Sequence, residues 1–262
     1  DFVFGDWSSA VCSSDLTRDL RIVAPYAGWL NNVYEQASPG GDITLDDTDL
    51  MFGLYAQWIR PGSFQANLFA YHAPEVNYAA LSGLHGSLDI YFDLGPLQDL
   101  VLGGGAELVS IDMDAGANIA GLALFEMQNL VTAPFLRAGK QFTFKTGSAE
   151  LIALPWAGAE LDFARGDIAM DPLGPSPLVG MEIDETDLYA LAGLNLRLVL
   201  MRFVQLEAKY SAAIDDQTLL SRASVMANVF VTRNLGLSYR FSYMETSSGS
   251  TMYNILGAAF MF

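Results

Sequence analysis

Apolar side chains recur at every second position over long stretches of this chain. Between Leu188 and Leu200, seven apolar residues alternate with a second set that includes Gly193, Asn195 and Arg197. A period of two places each set on one face of an extended strand, whereas a helix would distribute both sets around all its sides. The pattern therefore predicts a long β-strand with one apolar face.

The same alternation recurs along most of the chain, in segments of about 11 to 15 residues. That length is needed for a tilted strand to cross a hydrocarbon layer, and it exceeds the five or six residues of an average strand. Twelve strands are predicted, at 18–30, 46–60, 63–74, 81–94, 98–111, 130–144, 148–163, 187–201, 203–214, 217–232, 235–246 and 251–262. The chain has no run of about 20 apolar residues, the length of a spanning helix. We therefore predict an all-β fold, a closed antiparallel transmembrane β-barrel of about 12 strands.

The connections between the predicted strands alternate in length. Short turns include 60–62, 95–97 and 145–147, and the longer links are 31–45, 75–80, 112–129 and 164–186. Short periplasmic turns and longer extracellular loops are typical of outer-membrane barrels. The third long link is too apolar for a solvated loop, so it either folds into the lumen or extends its two strands above the membrane. We favour the extension.

Aromatic residues occupy fixed positions in the last strand. Phe262 is the final residue, Phe260 stands two positions before it, and apolar residues alternate upstream. This resembles the terminal strand that the barrel-assembly machinery recognises, and residues 17–262 as a whole resemble the bacterial outer-membrane β-barrel proteins. The resemblance implies an outer-membrane location and, as partners, membrane lipids, lipopolysaccharide and the assembly machinery. It implies nothing about a transported solute.

The first 16 residues do not share the strand pattern. They lack the basic and then apolar order of a signal peptide. The run Val11-Cys12-Ser13-Ser14-Asp15-Leu16 closely matches a translated sequencing adapter. We therefore predict that residues 1–16 are a non-native or disordered segment and that 17–262 form the barrel.

Composition narrows the functional classes. Hydrophobic residues make up 52% of the chain and charged residues 16%, below the roughly 25% of soluble domains. Such a hydrophobe content excludes a disordered chain, and a net charge of −17 argues against a nucleic-acid partner. A single cysteine excludes a disulfide framework and a cysteine-cluster metal site. We predict no cofactor and no metal site.

Acidic residues crowd the proposed extracellular loops. Solvation of these loops is the favoured interpretation, and binding of divalent cations, which prefer several oxygen ligands, is the alternative. The acids concerned are Asp42, Asp46, Asp47, Asp49, Asp112, Asp114, Asp167, Asp171, Glu182, Asp184, Glu185, Asp187, Asp215 and Asp216.

A second set of charges falls on the polar face of the strands and is predicted to line the lumen. One interpretation is a network of ion pairs that fills a narrow barrel, because charges in a low-dielectric interior need partners. The other is a transverse field across a small aqueous pore, and the sequence leaves both open. The predicted lumen-lining residues are Asp89, Asp93, Glu107, Arg137, Glu160, Asp162, Arg197, Glu207, Lys209, Arg222 and Arg240.

Together these features favour a narrow porin or small-solute channel that admits small polar solutes. The alternative is a non-conducting structural or surface-interaction barrel. A lipid-modifying hydrolase is a remote third possibility, because His72 and Ser82 have a spacing similar to that of outer-membrane phospholipase A. That family orients its histidine with an asparagine, and Gly86 stands at the corresponding position here. We therefore predict no enzymatic activity.

Overall fold

A computed structural model describes residues 19–36, 43–60, 62–74, 79–93, 95–114, 124–171, 179–201, 203–214, 220–246 and 249–262. The predicted N-terminal segment 1–16 lies outside the described residues. No helix in this described part of the chain is long and apolar enough to cross a membrane.

The described residues form one antiparallel sheet and a short 3-10 helix at Gly95–Leu97. The β-segments are β1 (Leu20–Gln36), β2 (Ile43–Arg60), β3 (Phe64–Ala73), β4 (Ala79–Phe92), β5 (Leu100–Asp114), β6 (Leu124–Lys140), β7 (Phe142–Thr146), β8 (Ala149–Asp171), β9 (Val179–Leu200), β10 (Val204–Ala213), β11 (Leu220–Phe230), β12 (Leu235–Thr246) and β13 (Gly249–Met261).

The sheet closes on itself, which confirms the predicted barrel. Apart from β6 and β7, each segment pairs with its neighbour in sequence, and β13 returns to pair with β1 through Trp29↔Asn254 and adjacent positions. Segments β6 and β7 both pair with β8, through Arg137↔Gly158 and Phe142↔Ala153. They are two parts of one strand, so the barrel has twelve strands.

The break between β6 and β7 falls at Gln141, inside the predicted strand 130–144. There the backbone N–H of Gln141 donates to the carbonyl oxygen of Asp99 at 2.8 Å. Asp99 lies in the β4–β5 turn with a φ of 63°. This bond continues the register of the Leu100↔Lys140 pair. Since β5 begins at Leu100, β7 has no partner on that side among the described residues and pairs with β8 alone.

Several links that we predicted as loops are strand, and this part of the prediction was wrong. β8 and β9 remain paired out to Met170↔Val179, within the predicted link 164–186. For the third link the favoured extension is confirmed over the described residues, since β5 continues to Asp114 and β6 begins at Leu124; residues 115–123 lie outside them. Above the membrane both faces of a strand can be polar, so the period of two that identifies a strand disappears.

Side chains alternate between the interior and the outer surface along each strand. In β2, Met51 is 0% exposed while its neighbours Leu50 and Phe52 are 43% and 49% exposed. Asp49, which we expected in an extracellular loop, lies within β2 and is buried. Exposed apolar residues cover the outer surface, where a barrel in a membrane contacts acyl chains.

An apolar cluster occupies the interior beside β1, β2, β3 and β13. Its fully buried members include Ile22, Met51 and Phe69, with Ile255 opposite them on β13. This side of the interior is therefore largely apolar, and the ion pairs Asp89–Arg137, Glu160–Arg222 and Glu207–Lys209 lie on other strands.

An arginine at Leu54 tests the lipid-facing surface. Leu54 points outward from the middle of β2 and is 48% exposed. Leu54→Arg is therefore expected to destabilise the barrel folded in lipid vesicles by about 3 kcal/mol. The control is Leu235→Arg, at the start of β12 beside a short turn, where the expected cost is at most about 1 kcal/mol. Equal effects at both positions would contradict a membrane-embedded surface.

Candidate functional site

The best-formed ion pair in the interior joins β4 to β6 across β5. Arg137 donates to Asp89 through Nε at 3.0 Å and through Nη2 at 2.7 Å. The two residues are not on neighbouring strands, because Gly103 of β5 stands in register between them. A Cβ at Gly103 would lie 2.0 Å from Asp89 Oδ1. The glycine is therefore what allows this pair to form along the wall.

A second ion pair joins β8 to β11. Arg222 donates to both carboxylate oxygens of Glu160, at 2.5 and 2.6 Å. Strands β9 and β10 lie between the partners, so the side chains meet inside the barrel. Asp162 Oδ1 and Arg222 Nε are also buried beside this pair and make no hydrogen bond.

A chain of uncharged polar side chains crosses the interior. Gln205 of β10 donates to Gln57 Oε1 of β2 at 3.1 Å. On the β10 side the chain continues through Asn228 and Ser238 to the hydroxyl of Tyr26. These five side chains are buried. Together with Asn67 of β3, they are called the amide layer.

Asn67 of β3 is the other junction of the amide layer. Its Oδ1 accepts hydrogen bonds from the Tyr55 hydroxyl at 3.0 Å and from Gln57 Nε2 at 3.1 Å. Gln57 Nε2 also donates to Glu207 Oε2 at 3.3 Å, and Glu207 is paired with Lys209. The amide layer therefore connects β1, β2, β3, β10, β11 and β12 through side chains.

The amide layer lies near the end of the barrel that carries the short turns. Gln57 is three residues from the end of β2, and Gln205 is the second residue of β10. One more cross-barrel contact lies at this end, where Arg197 donates to Gln65 Oε1 at 2.7 Å.

The described residues line a larger and a smaller cavity in the interior. The larger has a volume of about 190 Å³ and is lined in part by Glu107, Glu160, Arg222 and Arg240. The smaller, of about 30 Å³, is lined by residues that include Asp89 and Arg197. Asn195 and Lys209 line both cavities. We call the larger one the upper cavity and the smaller one, which is nearer the short turns, the lower cavity.

Arg240 is held by aromatic rings. Its guanidinium carbon lies 4.2 Å from the ring centre of Phe69, 5.5 Å from that of Tyr55 and 5.8 Å from that of Tyr253. Within the described residues Arg240 forms no ion pair. A cation over several ring faces is stabilised by the electron-rich faces even without a carboxylate.

The predicted lumen-lining residues have different environments. Asp89, Arg137, Glu160, Arg222, Glu207 and Lys209 form ion pairs, Arg197 binds an amide, and Arg240 lies on rings. Glu107 lines the upper cavity. Asp93 is not brought to this group, since it follows the end of β4 and is exposed.

Sequence reasoning missed the amide layer. Gln57, Asn67, Gln205 and Asn228 all stand on the inward side of the strand alternation, so their direction could have been predicted. Their mutual contacts could not, because Gln57 and Gln205 are 148 residues apart in sequence.

Three further groups of predicted residues can be placed. Phe260 and Phe262 are exposed at the end of the barrel, and the backbone N–H of Phe262 donates to the carbonyl of Arg21 at 2.9 Å. His72 Nδ1 lies 2.8 Å from Ser82 Oγ on the outer face. Asp42, Asp215 and Asp216 of the acidic loops lie outside the described residues.

Replacing Gly103 by alanine should break the Asp89–Arg137 pair. The added Cβ occupies the space of Asp89 Oδ1, so Gly103→Ala is expected to reduce the free energy of unfolding by about 2 kcal/mol, a typical cost of overpacking. Gly86→Ala is the control, because the nearest atom to its Cβ is 3.9 Å away. Urea unfolding in lipid vesicles measures both, and equal stabilities would contradict the role of Gly103.

Removing Arg222 should leave a buried carboxylate without its partner. The Glu160 side chain is only 4% exposed, so Arg222→Gln is expected to cost about 3 kcal/mol of unfolding free energy. The double variant Arg222→Gln/Glu160→Gln should recover most of that loss, since it removes both charges. If the double variant is no more stable than the single one, the pair does not act as a unit.

No family model matches this chain, and no curated protein matches it in sequence. Solved structures do resemble it. The translocator domain of the autotransporter NalP from Neisseria meningitidis has a TM-score of 0.59 at 17% identity, covering 94% of this chain and 89% of that one. The β domain of the Bordetella autotransporter BrkA has a TM-score of 0.46 at 16% identity, covering 91% and 98%. A variant of the monoaromatic hydrocarbon channel TodX has a TM-score of 0.41 at 9% identity, covering 97% and 94%. The closed antiparallel barrel, its apolar outer surface and the NalP likeness show that this chain has the fold of the outer-membrane β-barrels.

Proposed function

We propose that this barrel forms a narrow channel for small polar solutes and that the amide layer closes it at rest. One observation carries the proposal. The upper and lower cavities are both lined by charged side chains, and the amide layer contacts both, since Asn67 lines the upper cavity and Gln57 donates to Glu207 of the lower one. In this proposal a solute that enters the upper cavity is separated from the lower one by a thin layer of side chains rather than by a folded plug segment.

The contacts of the amide layer are weaker than those of the barrel wall. Neutral side-chain hydrogen bonds contribute only about 1 kcal/mol each to stability, whereas bidentate charged pairs are roughly twice as strong. The Asp89–Arg137 and Glu160–Arg222 pairs fix charges on the wall. Rotation of a few amides is then enough to join the two cavities while the charged wall stays in place.

A non-conducting structural barrel is the second candidate, and the apolar cluster favours it. Side chains of β1, β2, β3 and β13 fill one side of the interior, which leaves less room for water. A barrel that is filled by side chains gains stability and needs no passage.

Conductance in a planar lipid bilayer distinguishes the two candidates. The wild-type protein is expected to give rare, small current steps, and Gln57→Ala/Gln205→Ala should raise the mean current severalfold by opening the amide layer. Gln98→Ala/Gln128→Ala is the control, because both of these glutamines are exposed, and it should behave as the wild type does.

Two results would contradict the channel. Electrical silence of both the wild type and Gln57→Ala/Gln205→Ala would favour the structural barrel. Large, permanent wild-type steps that this double substitution leaves unchanged would show that the amide layer does not close the lumen.

A further inference from the structure

The upper cavity contains two charges that have no ionic partner among the described residues. Arg137, Arg222 and Lys209 are each paired with a carboxylate, and these pairs use Asp89, Glu160 and Glu207. The charges that remain on the cavity lining are Arg240 and Glu107. The other charges that line this cavity are in ion pairs, so Arg240 and Glu107 are the lining charges available to a ligand.

Arg240 and Glu107 stand on opposite sides of the barrel. Arg240 lies on β12 and Glu107 on β5. Between these strands lie β4, β3, β2, β1 and β13 in one direction, and β6, β8, β9, β10 and β11 in the other. Five strands separate them on each side, so the two residues are anchored on opposite strands of the barrel.

The two groups are also close enough for one small ligand to span. Arg240 reaches across to Phe69 of β3, with the guanidinium 4.2 Å from the ring centre. Phe69 is in register with His85, and His85 is in register with Glu107. Two strand spacings separate β3 from β5, which is about 10 Å along the wall. The guanidinium therefore rests on a residue whose backbone is about 10 Å from that of Glu107.

We propose that the upper cavity binds a small zwitterion with separated charges, its anionic group on Arg240 and its cationic group on Glu107. The aromatic rings hold the face of the guanidinium, and its N–H donors at the edge make no hydrogen bond to the described residues. Such an edge suits a carboxylate, which accepts two parallel hydrogen bonds. Glu107 accepts in turn from an ammonium group.

Cavity size and lining restrict the ligand further. A volume of about 190 Å³ is below the roughly 300 Å³ at which sites for drug-sized ligands begin. Phe69, Tyr253 and Phe135 add aromatic surface to the lining, which suits a short methylene chain between the two charges. The inference names the solute class of the proposed channel and rests on that proposal only for the passage of the ligand.

Calorimetric titration of the barrel refolded in detergent tests the site, with 6-aminohexanoate, hexanoate and hexylamine as probes. Wild-type protein is expected to bind 6-aminohexanoate at least about tenfold more tightly than either single-charge probe, a difference of about 1.4 kcal/mol. Glu107→Gln should bind 6-aminohexanoate no better than hexanoate. Arg240→Gln should bind it no better than hexylamine.

The control is Arg165→Gln/Asp184→Asn, which removes an exposed ion pair far from the cavity and should keep the wild-type preference. Because Arg240→Gln leaves aromatic rings without their cation and can impair folding, Arg240→Lys provides a second variant, expected to keep part of the affinity. Equal binding of the three probes by the wild type would overturn the proposal, as would an unchanged preference in Glu107→Gln.

The proposed binding site and the proposed channel can be refuted independently of each other. Tight, Glu107-dependent binding in an electrically silent barrel would keep the site and refute the channel. A conducting barrel without preference for the zwitterion would refute the site alone.

Discussion

Backbone hydrogen bonding in lipid is the constraint on which this structure depends. An unpaired N–H or C=O in hydrocarbon costs several kcal/mol, so a sheet that spans a membrane has to close. Here the pairings of β13 with β1 and of β6 with β8 close it. Closure also gives every strand an inner and an outer face, which is why a simple alternation of side chains is sufficient to produce a membrane protein with an enclosed polar interior.

Closure with twelve strands creates an interior that side chains fill only in part. An eight-stranded barrel is filled and a sixteen-stranded one holds a wide channel. Two kinds of side-chain contact fill part of the interior of this twelve-stranded barrel. Apolar residues around Phe69 fill one side, while the other side carries ion pairs whose partners reach past intervening strands, as Arg137 does over Gly103. The amide layer crosses part of the interior that remains, and in the proposed channel its hydrogen bonds control passage between the two cavities.

The elements that could be predicted from sequence are those that the membrane imposes. Alternation around Leu194 and Asn195 identified β9, and similar patterns located the remaining strands. A strand between lipid and a polar interior has this period of two. The upper parts of β8 and β9 escaped prediction because water wets both of their faces. Pairings such as Glu160 with Arg222, and the burial of Asp49, depend on register across distant strands. A single sequence contains the candidates for such contacts but not the registers that select among them.

The alternation itself is the most direct test of the account. Single cysteines at positions 194, 195, 196, 197 and 198 of β9, introduced with Cys12 replaced by serine and the protein refolded in vesicles, report the environment of each side chain. The account predicts that a lipid-soluble reagent labels positions 194, 196 and 198, and that 195 and 197 are protected from it. Uniform labelling, or labelling with a period near 3.6, would contradict a strand between lipid and a closed interior.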